Sequence, residues 1–207
     1  MTPILLPLYV DPVTDPTAWR VAAGLAGRLS VVMSGEPLLP DLADAAARLT
    51  KAGVTVLGRV DAGFAARPVA DLLDDVEGWA GHPVSGVFLD QTPTSPFSLG
   101  PVALAVRVAR RAGLSTVVLN AGVPTDPHYR ELATPVCTFE GPWADYRRWS
   151  GDGSRPGDGH LVHSVPGGEL PAAWARLRER GAGWGLVTDR APPAPYAGLP
   201  SWLPPAD

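Results

Sequence analysis

Two short apolar runs in this 207-residue chain each stop on a carboxylate. Gly86-Val87-Phe88-Leu89 ends on Asp90 and Gln91, and Val136-Cys137-Thr138-Phe139 ends on Glu140. A charge at the edge of an apolar run is costly unless it has a partner or a task. Two such carboxylates can divide acid and base work, one held protonated and the other ionised by different surroundings. If both runs are strands of one parallel barrel, their C-terminal ends share the mouth where such barrels carry chemistry. Neighbouring strands lie about 4.8 Å apart, so strands four and six stand roughly 10 Å apart at the backbone. Inward-leaning side chains then bring the carboxyls to between about 5 and 9 Å. That interval covers glycoside hydrolysis with retention, at about 5–5.5 Å, and with inversion, at about 6.5–9.5 Å.

The elements that must position these groups alternate along the whole chain. The spacing predicts strands near Ile4–Tyr9, Leu29–Met33, Thr55–Val60, Gly86–Leu89, Thr116–Asn120, Val136–Phe139, Leu161–Val165 and Gly185–Thr188. They are short and mostly apolar, as strands buried on both faces are. Between them, sets such as Val69, Leu72, Leu73 and Val76, or Leu170, Ala173, Trp174 and Leu177, recur at helical spacing. Asp15-Pro16 reads as a helix cap with proline at the first helical position. The expected fold class is α/β, a single small (β/α)8 TIM barrel over residues 1–207, with short helices after strands five, six and eight. No Gly-x-Gly-x-x-Gly follows the first strand, so a dinucleotide-binding sheet has no support. Residues 150–159 read as a mobile glycine-rich loop, and residues 191–207, with six prolines, as an irregular tail packed on the barrel.

Every unit offers a polar group at its C-terminal end: Asp11, Ser34 to Glu36, Asp61, Asp90 with Gln91, Asn120, Glu140, His163 and Asp189. Asp90 and Glu140 are the candidate catalytic pair. Tyr9, Glu36, Asp61, Gln91, Asn120, Trp143, His163 and Asp189 are candidate substrate contacts, the aromatic rings as stacking faces for a sugar. Each has a plainer reading. Asp11, Asp61 and Asp189 can be helix caps or loop residues, Asn120 opens a turn sequence, and His163 can be a hydrogen-bonded core histidine. Cys137, inside an apolar run, reads as a buried structural thiol. Such a mouth is acidic, with Arg59 and Arg67 its nearest cations. It suits a neutral polyol, a sugar or a cationic amino sugar better than a phosphate.

Net charge is −4 with no basic stripe, so a nucleic-acid partner is not expected. One cysteine allows no internal disulfide, and no Cys/His cluster has zinc spacing. No metal and no cofactor are expected; the expected partner is a carbohydrate or other small-molecule substrate. No apolar run is long enough to span a membrane. The N-terminus lacks a basic region and a cleavage site, so a cytoplasmic protein is expected if Met1 is the native start. Oligomeric state is left open.

Taken in order, several segments resemble the spherulation-specific family 4 (spherulin-4-like) proteins, which include glycoside hydrolase family 135. They are Pro7-Leu8-Tyr9, Val56-Leu57-Gly58, Gly86-Val87-Phe88-Leu89-Asp90, Val118-Leu119-Asn120 with Gly122, Thr138-Phe139-Glu140-Gly141-Pro142-Trp143-Ala144-Asp145-Tyr146, His160-Leu161-Val162-His163-Ser164-Val165-Pro166 and Val187-Thr188-Asp189. The resemblance covers about Ile4 to Trp202. It implies a TIM barrel and, for characterised members, hydrolysis of galactosamine-containing polysaccharide. The family's acidic motif is an Asp-Glu pair ending strand four and a Glu ending strand six. Asp90 and Glu140 match it, while Gln91 stands where glutamate is usual. Glutamine keeps glutamate's size but cannot ionise. Strand three has Arg59 where a tyrosine is usual, and Glu36 and Asp61 bring further charge.

The expected function is a glycoside-hydrolase-like enzyme acting on an amino-sugar glycoside, with ordinary hydrolysis placed in question by Gln91. The alternatives are a cytoplasmic lyase, isomerase or cyclase of small-molecule metabolism, and a catalytically silent sugar-binding module.

Overall fold

Short β-type runs separated by amphipathic ones can satisfy every backbone group and bury every apolar face by closing into a ring. The computed structural model, which describes residues 2–35 and 39–203, has that form. Its strands are β1 (Ile4–Pro7), β2 (Leu29–Met33), β3 (Thr55–Asp61), β4 (Gly86–Asp90), β5 (Thr116–Asn120), β6 (Val136–Pro142), β7 (Gly159–His163) and β8 (Trp184–Val187). Each pairs in parallel with its sequence neighbour, and β8 returns to β1 through Ile4 and Gly185, closing the barrel. The α/β barrel expected from the alternation is therefore the fold.

Seven helices wrap the described barrel: α1 (Pro16–Ala23), α2 (Pro40–Lys51), α3 (Val69–Gly78), α4 (Leu99–Arg111), α5 (Tyr129–Leu132), α6 (Trp143–Arg148) and α7 (Leu170–Glu179). Asp15 caps α1, its Oδ1 accepting the Ala18 N–H at 3.0 Å. The short helices fall where expected, four residues in α5 and six in α6. After β8 the described chain has turns and no helix. No helix among the described residues is long and apolar enough to cross a membrane.

One buried side chain from each strand fills the barrel below its mouth: Leu5, Val32, Leu57, Phe88, Val118, Cys137, Leu161 and Leu186. The Cys137 thiol is wholly buried, and burial pushes its pKa well up, as befits a packing residue. The alternate residues, such as Val60, Val87, Leu89, Val117 and Leu119, pack outward with Leu72, Val76 and Val102 of α3 and α4. This plug leaves only the last inward residue of each strand to line the mouth.

Several boundaries differ from the periodic reading; β1, for example, ends at Pro7 and not at Tyr9. β7 ends at His163 because Ser164 has φ 55, which turns the chain out of the ladder. β6 runs on to Pro142 and carries a β-bulge between Cys137 and Phe139. The 150–159 segment, expected to be mobile, is anchored at its end. Asp158 is 5% exposed in its side chain and pairs with Arg130 at 2.5 Å, and Ser154 Oγ lies 3.1 Å from His160 Nε2. Beyond β8 the chain folds back over the barrel. Asp189 Oδ1 accepts the Ser201 N–H, and the Trp202 indole donates to the Val187 carbonyl.

Candidate active site

Strict alternation would turn Glu140 away from the mouth, because it stands three residues after inward-facing Cys137. The bulge corrects this. Cys137 is in register with Gly159, Phe139 with His160, and Glu140 with inward-facing Leu161. Two residues, Thr138 and Phe139, therefore face outward in succession, and Glu140 faces in. Gly122, in the loop after β5, makes the bulge possible. Its N–H donates to the Cys137 carbonyl at 3.1 Å and its carbonyl accepts from the Glu140 N–H at 2.9 Å, so the ladder steps over the extra residue. Gly122 has φ +69, and a Cβ there would stand 3.3 Å from the Glu140 Cβ. Gly122→Ala is expected to lower stability by roughly 1–2 kcal/mol from left-handed strain, measured by urea unfolding. Wild-type stability in that variant would contradict the account.

Asp90 and Glu140 are joined by one amide. Asn120 Nδ2 donates to Asp90 Oδ1 at 2.8 Å and to Glu140 Oε2 at 2.6 Å. One nitrogen reaching both carboxylates holds those two oxygens less than about 5.5 Å apart, at the short end of the expected interval and near the retaining geometry. The amide orientation follows from charge: the reversed amide would set a carbonyl against two carboxylates. Asn120 is 3% exposed, and its Oδ1 is buried with no hydrogen-bond partner among the described residues.

The two acids differ in surroundings. Asp90 takes donors on both oxygens: Asn120 and the Gln91 N–H on Oδ1, and Arg59 Nε on Oδ2 at 2.7 Å. Among the described residues no cation forms an ion pair with Glu140; the Tyr196 hydroxyl donates to its Oε1 at 2.7 Å. Burial is the strongest influence and raises the Glu140 pKa. The Asn120 and Tyr196 hydrogen bonds pull it back, and the charge of Asp90 raises it further. Tyr9 lies edge-on to Tyr196, 5.9 Å between centroids, and its phenol is pushed far up by burial first and Asp90 next. A cleft of about 380 Å³ opens beside Tyr9, lined by Val10, Asp11, Ser34, Gly35, Leu39 and Leu42; it adjoins the acid cluster through Tyr9 and is lined by neither Asp90 nor Glu140. That volume is within the range of small-molecule sites, about 300–1,000 Å³.

Of the residues singled out from sequence, Tyr9, Asp90, Asn120 and Glu140 meet in one cluster. Gln91 adjoins it through its backbone. It has φ 52, its N–H serves Asp90, and its carbonyl accepts the Phe64 N–H. Asp61 Oδ1 caps the turn at Gly63, and Asp189 staples the tail, which are their plainer readings. His163 is half-buried at the end of β7, with Nδ1 3.0 Å from the Ser164 hydroxyl. Trp143 must be corrected as a stacking face. It is 4% exposed and packed outside the barrel with Phe139, Tyr146 and Val162, its indole donating to Glu169. Glu36 lies outside the described residues. Sequence reasoning missed Tyr196, because nothing in a proline-rich tail marks one tyrosine as a partner of β6. It also named Arg59 only as a nearby cation, although Arg59 of β3 and Asp90 of β4 share the inward face two residues apart in register, close enough for Nε to reach Oδ2.

Comparison with known proteins places this geometry in context. The model of a family described as spherulation-specific family 4 matches residues 3–204. Spherulin-4 of Physarum polycephalum is 28% identical over 96 residues, 45% of this chain; the match spans 29% of that relative's length. The crystal structure of Aspergillus clavatus Sph3 in complex with GalNAc superposes with a TM-score of 0.80 at 23% identity, covering 98% of this chain and 94% of that one. The tryptophan synthase α-subunit of Pyrococcus furiosus follows at a TM-score of 0.56 and 14% identity, over 90% and 86% of the chains. These likenesses establish the barrel.

Proposed function

The chain belongs to spherulation-specific family 4, and from that premise we propose that it is a glycoside-hydrolase-like enzyme acting on a glycoside of an uncharged, N-acylated amino sugar. The observation that carries this is the Asn120 amide holding Asp90 and Glu140 as a close pair with unlike surroundings. Glu140, whose pKa burial raises, is the proton donor to the leaving oxygen. Asp90, steadied by three donors, is the carboxylate facing the anomeric carbon. At retaining separation it forms the glycosyl bond as the leaving group departs, and water then cleaves that bond with Glu140 as base. The GalNAc bound by Sph3 supports the choice of sugar.

The test is release of 4-nitrophenol from N-acetylhexosaminides and of sugar from their oligomers. Full activity in an Asp90→Asn, Glu140→Gln double variant would overturn the assignment.

Gln91 favours a second reading, a binding module without turnover. It stands beside Asp90, cannot ionise, and offers the site only its backbone N–H among the described contacts. The two readings part at Gln91→Glu. In a hydrolase built on Asp90 and Glu140, the added carboxylate raises the pKa of its neighbours and moves the pH optimum upward by about one unit. In a silent module, it creates turnover where the wild type has none. A pH–rate series on both proteins decides between them.

A further inference from the structure

We infer that Arg59 makes the mouth a recognition site for a sugar bearing a carboxylate, with the guanidinium fork as its receptor. The inference goes beyond the glycoside reading: it concerns the sugar unit lying against Arg59, not the amino sugar whose bond is cleaved, and rests on that reading only in placing a glycan at this mouth.

Arg59 lies on β3, in register with inward-facing Phe88 of β4. An inward side chain of a plugged barrel meets water only through the mouth, so its 28% exposure opens into the cup. Its Nε is engaged by Asp90, whereas neither Nη group has a hydrogen-bond partner among the described residues. The Nε bond fixes the rotation of the group, and the Tyr9 ring lies 5.8 Å from its central carbon. The fork is thus held in place with its terminal edge open. Two parallel N–H donors at that spacing match the two oxygens of a carboxylate.

Charge selects among anions, and hydrogen-bond capacity selects against amines. The contact with Arg59 answers the charge of Asp90, and Asp61 and Glu140 remain nearby as acids. A phosphate, carrying close to two charges, would face three carboxyl groups with one cation to offset it. A carboxylate faces the same acids with a single charge and accepts from both Nη groups at once. A free ammonium on the sugar unit is donor-only, so it cannot accept from this edge and leaves the fork unpaired. The expected order is therefore uronate, then neutral sugar, then amino sugar with a free amine.

Isothermal titration of the intact chain with galacturonate, galactose and galactosamine tests this at neutral pH and low salt. The gluco series run in parallel removes ring stereochemistry as the deciding factor. The uronate should bind at least about tenfold tighter than the neutral sugar in one series, one bidentate charged contact being of that order or larger. Arg59→Met should abolish the preference, and Arg59→Lys, which keeps the charge and loses the fork, should keep part of it. Equal binding of the three sugars, tighter binding of the amino sugar, or no binding of any overturns the inference. So does an unchanged preference in Arg59→Met. Turnover is read separately on aryl glycosides. Binding in the expected order without any hydrolysis defeats the hydrolase reading and leaves this one standing. Hydrolysis of neutral glycosides with no uronate preference does the reverse.

Discussion

Glu140→Gln is expected to lower kcat on a cleavable glycoside by roughly 10²–10⁴-fold, the usual contribution of a positioned general acid. KM should change far less, because the substitution keeps size and leaves an oxygen for the Tyr196 hydroxyl. The pH profile carries the sign of the assignment. A proton donor is lost as pH rises through its pKa, and burial raises that of Glu140. The alkaline limb of kcat/KM should therefore sit above the ordinary glutamate range and disappear in the variant. Tyr196→Phe removes a donor that favours the ionised form, so it should move the limb further upward in pH. Wild-type kcat in Glu140→Gln, or a limb moving downward in Tyr196→Phe, would defeat the role given to this residue.

Asp158→Ala is expected to destabilise the fold by about 3–5 kcal/mol, because it leaves a nearly buried guanidinium without its partner. Arg130 and Asp158 are 12% and 5% exposed, and two Arg130 nitrogens reach the two carboxylate oxygens at 2.9 and 2.5 Å. The same carboxylate accepts the Arg155 N–H and stands within 3.4 Å of the Thr138 and Ser154 hydroxyls. It thereby joins α5, β6 and the turn into β7. A domain of this size has about 5–15 kcal/mol of stability in all, so the loss is a large share of the total. Chemical denaturation measures it. Replacing both partners, as Arg130→Met with Asp158→Leu, should recover much of the loss. A cost below about 1 kcal/mol for Asp158→Ala would show that the pair is not shielded as described.

The expectations that held were those carried by local signals. Apolar runs of four to six residues, the Asp15-Pro16 cap and the alternation of periods sufficed for eight strands, the closed barrel and the brevity of α5 and α6. Asp90 and Glu140 stood out because each ended such a run. What stayed hidden depended on contacts between distant segments. The β6 bulge is set by a glycine in the preceding loop, and no period in the strand announces it. Trp143 looked available because it follows a strand end. Its ring instead fills the space between α6 and the outer face of the barrel, where Phe139 had been turned by the same bulge. The glycine-rich stretch before β7 suggested mobility by composition, while Asp158 ties its end to Arg130 on α5. Tyr196 and Arg59 acquired their partners through the barrel's closure, which brings β8, its trailing segment and β3 around to the acids.

Tyr196 also bears on the order in which the molecule is assembled. A ribosome makes all eight strands before it makes this tyrosine. The sheet can close, and Asn120 can bridge its two acids, while Glu140 still lacks its phenol. During that interval the same carboxyl has a different proton affinity from the one it will keep. The finished acid therefore depends on a stretch of chain made after the barrel's last strand, and a barrel without that stretch is a chemically different object from one that has it.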